Sequence, residues 1–192
     1  MIRIVSINTW QGRGPYRARM AALAEQLVEL RPDIIAMQEA LVATDGSANT
    51  TAMVASLLGM HAIFHPQRQA EEAIEGRDTP LMWGLAILSR WPIADVHVVQ
   101  TPPDPDDGDR PALLGAVQSP WGAIRVVCLH LTHMRNPLIR ERQLQAVAAA
   151  GGHGFRMSQN RNGRTRMNLR CSRVRATPYG LAASIATGDP DV

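Results

Sequence analysis

The sequence predicts an α/β fold, and three observations carry the prediction. Apolar runs of strand length alternate with stretches of helical period. The chain opens strand, helix, strand, the start of a βαβ-like arrangement. Hydrophobic residues make up 45 % of the 192 positions, enough for a real core and too many for a disordered chain. The same length fits one domain, residues 1–150, followed by an Arg-rich segment, 151–192, of different character.

The elements follow in order. Residues 2–9 alternate well enough for a buried strand, and "QGRGPY" is a turn. "RARMAALAEQLVEL" places Met20, Leu23, Leu27 and Leu30 on one helical face, and Pro32 stops that helix. Residues 33–38 form the next strand, ending on Gln38 and Glu39. "SANTTAMVASLLG" reads as a second helix with a Ser cap and a Gly after its end. "HAIFH" is a short strand and the polar "RQAEEAIEGRD" a loop. "LMWGLAILS" and "IADVHVVQ" are strands joined by "RWP". "TPPDPDDGDRP" is an exposed loop, because Pro and Asp dominate it. "ALLGAVQ" and "AIRVVCLHL" form a hairpin across "SPWG", and "LIRERQLQAVAAA" is a third helix. From Gly151 onward neither period is visible, so the C-terminal part is expected to be irregular.

Composition narrows the function classes. No apolar run approaches the roughly 20 residues of a membrane helix. The start, "MIRIVSINTW", reads as a strand and not as a signal peptide, so the cytoplasm is the expected location. Cys128 and Cys171 are too few for a disulfide framework. The net charge of +3 divides unevenly: 13 Arg face 15 acids through residue 150, and 7 Arg face 2 Asp afterwards. Every basic residue is Arg. That suits phosphate binding, although a GC-rich genome gives the same bias.

Three polar residues sit on or at the ends of apolar strands: Asn8, Glu39 and His130. Each has an ordinary reading, as a loop-bonding amide, a solvated acid and a hydrogen-bonded core imidazole. Jointly they suit metal-assisted phosphate chemistry. Mg²⁺ takes one or two carboxylates and leaves its other positions to water and phosphate. An amide orients a phosphate or a metal-bound water, and an imidazole hydrogen-bonds a phosphoryl oxygen or moves a proton.

"IRIVSINTW", "LRPDIIAMQEA", "GLAILSRWPI" and "IRVVCLHLTH…RERQ" resemble, in order and spacing, the endonuclease/exonuclease/phosphatase superfamily with its deoxyribonuclease-I-like fold. The resemblance spans residues 2 to about 148. It implies part of a four-layer α/β/β/α sandwich and hydrolysis of a phosphodiester or phosphomonoester with Mg²⁺ or Mn²⁺. It implies metal binding by Glu39, a place near metal and phosphate for Asn8, and transition-state stabilisation by His130. Arg140 and Gln143 match a helix read as mainly structural, and Arg90 a strand-end packing position.

The superfamily's "GDFN" strand end and its final Asp-His pair have no counterpart here. "GHGF" at 152–155 lacks the Asp and the Asn, and "GDP" at 188–190 has an Asp, but the sequence predicts no strand before it and no Asn follows. Three explanations fit the last 42 residues: a basic appendage that meets nucleic-acid phosphates, a divergent ending, or a shifted or truncated reading frame. Only Phe155 and Tyr179 are available there for base stacking. The expected function is therefore a metal-dependent phosphoesterase or nuclease. The alternatives are an inactive fragment of one, or a nucleic-acid-binding module that uses the Arg-rich tail. The acidic loop argues mildly against a polyanion as substrate. Loss of the second half of such a fold would expose sheet surface and favour self-association.

Overall fold

The computed structural model describes residues 2–133, 137–150, 157–159, 165–167 and 182–187. The chain divides into two compact units, Met1–Ile93 and Ala94–Val192.

In the first unit, β1 (Ile4–Asn8), α1 (Tyr16–Leu30), β2 (Ile34–Ala43), α2 (Thr50–Leu58), β3 (His61–Ile74) and β4 (Arg77–Ser89) follow one another. The sheet order is β1-β2-β4-β3. β1 and β2 run parallel, which requires the crossover that α1 supplies, and the other pairs are antiparallel. Leu27 and Val54 pack with Ile35, Met37, Ala86 and Leu88, while Tyr16 and Met20 pack with Leu41, Leu81 and Trp83. Each such aliphatic side chain contributes about 1.5–3 kcal/mol by leaving water. Leu30, expected on the same face, is half exposed. It lies in the final turn, where Arg31 takes a left-handed cap (φ 47°) and its N–H returns to Leu27 O before Pro32.

Two local expectations change. Asn49, not a serine, caps α2, its Oδ1 accepting from Ala52 N at 2.8 Å; Ser47 instead bonds Asp45. Gly59 closes the helix in the left-handed region, as the sequence predicts. The polar segment 68–78 is not a loop. It belongs to the long β3–β4 hairpin, which turns through Glu75 (φ 51°) and Gly76 (φ 79°). Positive φ at both turn residues matches the twist of a tight hairpin. Ala70, Glu72 and Ile74 alternate with more exposed neighbours, so a period of two was present beneath the polarity.

In the second unit, β5 (Ile93–Val99), β6 (Ala112–Ser119), β7 (Gly122–His130), α3 (Pro137–Ala150), β8 (Met157–Gln159), β9 (Thr165–Met167) and β10 (Ala182–Thr187) follow. The order of the four-stranded sheet is β10-β7-β6-β5, and β8 and β9 form a separate ribbon. Val147 and Leu144 of α3 pack with Leu114, Val127, Leu129 and Leu131. Short strands thus occur after residue 150, where the sequence shows no period, and β10 places Ala182 opposite His130. β10 ends at Thr187, so a strand does directly precede "GDP", against the sequence expectation. The side chains of the Arg-rich tail, with His153, Phe155, Cys171 and Tyr179, lie outside the described residues. Among the described residues no helix is long and apolar enough to cross a membrane.

Candidate active site

Glu39 does not end its strand. β2 runs on to Ala43, and Glu39 sits inside it at a bulge. Met37 pairs with Ala86 and Ala40 with Gly84, so Gln38 and Glu39 together oppose one residue of β4. Glu39 takes φ 54°, the left-handed region that a non-glycine residue adopts at a cost of about 1–3 kcal/mol. Such a bulge bends the strand and re-aims a side chain.

Other residues hold this backbone in place. Thr9 N donates to Gln38 O at 2.8 Å, and Thr9 Oγ1 donates to Glu39 O at 2.8 Å. On β4, Gly84 faces a second bulge, the step from Pro66 to Arg68 in β3. A Cβ on Gly84 would lie 2.0 Å from His65 O, so only glycine lets the strands approach there. Gln38 points inward, fully buried, and donates from Nε2 to Ser6 Oγ at 3.4 Å.

Asn8 pairs in register with Gln38, on the strand beside Glu39. Its Oδ1 accepts from Trp10 N at 2.8 Å, which fixes the amide plane. The loop beyond is left-handed at both Trp10 (φ 58°) and Gln11 (φ 51°). Arg19 of α1 clamps it, donating to the carbonyls of Thr9 (2.7 Å), Gln11 (3.1 Å) and Arg13 (2.7 Å). The guanidinium also lies 5.2 Å from the Trp10 ring centre. Burial lowers the Arg19 pKa, and the charges of Tyr16 and Glu39 oppose that shift.

His130 is delivered differently, at the end of the regular strand β7. Arg110 Nη1 lies 3.2 Å from its Nδ1. A guanidinium only donates, so Nδ1 accepts and the ring proton resides on Nε2. Arg110 is itself gripped by Asp107: Nε donates to Oδ2 at 2.9 Å and Nη2 to Oδ1. This fork-to-fork pair is nearly water-free, with side chains 6 % and 3 % exposed. His133 N donates to Asp107 Oδ2 at 3.3 Å, and His133 Nδ1 lies 3.1 Å from Oδ1. Burial pushes the His130 pKa down to about 4, the Arg110 charge adds to this, and Asp107 opposes it. For Asp107, burial acts upward, but hydrogen bonds from Arg110 and Thr132 and the Arg110 charge outweigh it and leave about 2.

The segment 101–111 is therefore not the exposed loop its composition predicts. Asp104, Asp107 and Arg110 are buried. Thr101 Oγ1 donates to Arg110 O at 2.8 Å and closes the segment, while Asp104 Oδ1 accepts from Asp106 N and Asp104 Oδ2 from Thr132 Oγ1. Arg140 and Gln143 hold the chain just after His130. Arg140 Nε donates to Thr132 O at 2.9 Å, and Gln143 Oε1 accepts from Thr132 N at 3.2 Å. Arg90 pairs with Asp33 at 2.9 Å, and Asp33 also accepts from Arg3 N, which ties the starts of β1 and β2 to the end of β4.

Asn8 and Glu39 thus adjoin on neighbouring strands of the first unit, and His130 stands in the second within its own polar network. Sequence reasoning missed Asp107 and Arg110. The available signal was an opposite-charge pair three residues apart, directly before a strand. Among the described residues no cluster of three His, Cys, Asp or Glu side chains surrounds a metal-sized space. The oxygen donors that the resemblance implies are the Glu39 carboxylate and the Asn8 amide, on neighbouring strands. That set fits a Mg²⁺ ion that takes its remaining ligands from water and phosphate.

A family model described as Endonuclease/Exonuclease/phosphatase family matches residues 5–158. No curated protein matches the sequence. Among solved structures, an endonuclease/exonuclease/phosphatase family protein from Leptotrichia buccalis C-1013-b superposes with TM-score 0.57 at 15 % identity, over 84 % of this chain and 64 % of its own. The human Nocturnin catalytic domain with bound sulfate anion superposes with TM-score 0.59 at 17 % identity, over 78 % of this chain and 57 % of its own. The chain thus spans rather under two thirds of these neighbours. At such identities the likeness shows the fold, an α/β architecture of the deoxyribonuclease-I-like type.

Proposed function

The chain belongs to the endonuclease/exonuclease/phosphatase family, and we propose that it encodes a hydrolase of phosphate esters that works with Mg²⁺ or Mn²⁺. The observation that carries this reading is the bulge at Glu39. A carboxylate is presented by strained backbone in mid-strand, next to an amide whose plane is fixed. Strain of this kind is retained where it positions a reacting group. The tetrahedral sulfate on the Nocturnin catalytic domain, which shares the fold, supports an anion as the bound group.

Glu39 would hold the cation, with the Asn8 amide as the second group that would serve it. When bound, the cation neutralises phosphoryl charge as a Lewis acid. The Asn8 Nδ2 hydrogens orient a phosphate oxygen. His130 acts through Nε2–H as a neutral hydrogen-bond donor to phosphoryl oxygen as charge grows there. It is not the general base: its second nitrogen accepts from Arg110, and protonation is confined to acid well below neutrality. The substrate is a phosphodiester or phosphomonoester, with nucleic acid as one class.

The test is Mg²⁺-dependent hydrolysis of a generic aryl phosphodiester. Glu39→Gln should lower turnover about 10³-fold while the fold persists. Undiminished turnover in that variant would remove Glu39 from the chemistry. A second reading is a folded but inactive fragment of such an enzyme. No turnover by this chain beside an active family member of full length would select it.

A further inference from the structure

Resting on the role of His130 proposed above, we infer that Arg110, held by Asp107, is a positioning residue that fixes His130 as the Nε2–H tautomer and so keeps the ring a neutral donor. The usual partner of a working imidazole is an acceptor, a carboxylate or a carbonyl, which takes the Nδ1 proton. Here the partner is a donor. Arg110 Nη1 approaches Nδ1 at 3.2 Å, and a guanidinium has no lone pair to accept with.

The proton is thereby forced to the other nitrogen. Every part of the arrangement acts toward that end. Asp107 occupies Nε and Nη2 of the same guanidinium, which fixes its plane and leaves the Nη1 edge for the imidazole. Thr101 Oγ1 holds the Arg110 carbonyl, and His133 N holds Asp107. The charged or titratable groups that act on His130 are Arg110, Asp107 and His133. A buried pair that served stability alone would be complete with Asp107 and Arg110, since well-packed apolar residues are commonly as stable as such a pair. The third contact, to the imidazole, is what a positioning role explains.

The test uses the whole chain with ¹⁵N-histidine labelling, and His130→Gln assigns the His130 signals. Long-range ¹H–¹⁵N spectra at neutral pH should show a neutral ring protonated on Nε2. An Nδ1–H ring or an imidazolium there overturns the proposal. Arg110→Lys keeps the charge but cannot fork to Asp107 while donating to Nδ1. Where it folds, the Nε2–H population should fall and kcat drop on the order of 10²-fold with KM little changed. Unchanged tautomer and kcat would overturn it equally. Should Arg110→Lys not fold, the wild-type tautomer decides alone. A chain without turnover sinks the proposed hydrolase and leaves the tautomer result standing, so the two failures are distinct.

Discussion

Glu39 and His130 reach their places by opposite means. Glu39 depends on backbone: a bulge in β2, φ 54°, two bonds from Thr9 and a glycine across the sheet. His130 stands on regular strand, and its orientation comes from side chains, the buried Asp107–Arg110 pair behind it. The first device stores strain and gives a direction. The second costs desolvation and gives a protonation state. A carboxylate that takes up a cation needs only direction, whereas an imidazole can be wrong in tautomer as well as in aim, which accounts for its heavier support.

The sharpest way to break the comparison is to remove Asp107. Asp107→Ala leaves the Arg110 guanidinium buried and unpaired by a carboxylate, and should cost about 3–5 kcal/mol, read as a fall in denaturant midpoint. A cost near 1 kcal/mol would mean that water reaches the pair and that His130 is not held as described.

On the other side, Gly84→Ala tests whether the backbone device depends on close approach. The added Cβ meets His65 O at 2.0 Å and Gln67 N at 3.0 Å, backbone atoms that cannot step aside. The expected loss is on the order of 3 kcal/mol. Because both bulges adjoin this residue, Glu39-dependent turnover should fall further than stability alone explains. Equal stability and turnover in Gly84→Ala would show that the bulges survive a wider spacing.

Acid sharpens the comparison next. The His130 pKa lies near 4 in the fold, against 6.5 for the unrestrained side chain. Between those values the unfolded chain takes up a proton that the folded one refuses, so stability is lost as pH falls from 6.5 to 4. With allowance for solvent at this half-buried site, the loss is on the order of 2 kcal/mol. Asp107 acts lower: its stabilisation is present above 3.8 and disappears as pH falls toward 2. In His130→Asn the decline between pH 6.5 and 4 should shrink while that below 3.8 persists. Melting temperature against pH measures both. A variant as acid-sensitive as the parent in the upper window would place the titration elsewhere.

What the sequence made legible follows the same division. Apolar period located the helices and most strands, since burying one face is the dominant energy and leaves a local trace. Asn8, Glu39 and His130 were visible as polar residues on or ending apolar strands. The bulge was not, because it is fixed by Thr9 and Gly84, distant in sequence, and by nothing in "AMQEALVA" itself. Segment 101–111 misled for a related reason. Its Asp and Pro content marks an exposed loop locally, but Asp107 and Arg110 neutralise each other, and Thr101 closes the segment, only once the chain is folded. The polar stretch 68–78 misled because composition outweighed its period of two.

The smallest expected effect is the most telling. Glycine adopts φ 54° without the steric cost that glutamate carries, so Glu39→Gly relieves strain but raises the conformational entropy of the unfolded chain, which opposes the gain. The strain released exceeds that entropic cost, so the balance should favour the variant by about 1 kcal/mol. Its activity should vanish with the carboxylate. Greater stability with lost turnover is the signature of strain kept for position. A clear destabilisation would mean that Glu39 holds the sheet together, and would move the bulge from chemistry to architecture. The matching change at the other region, His130→Ala, has no strained backbone to relax, and it removes the imidazole that Arg110 Nη1 meets. It should lower stability, by roughly 1–2 kcal/mol, so the two residues are expected to move the unfolding midpoint in opposite directions while both abolish turnover.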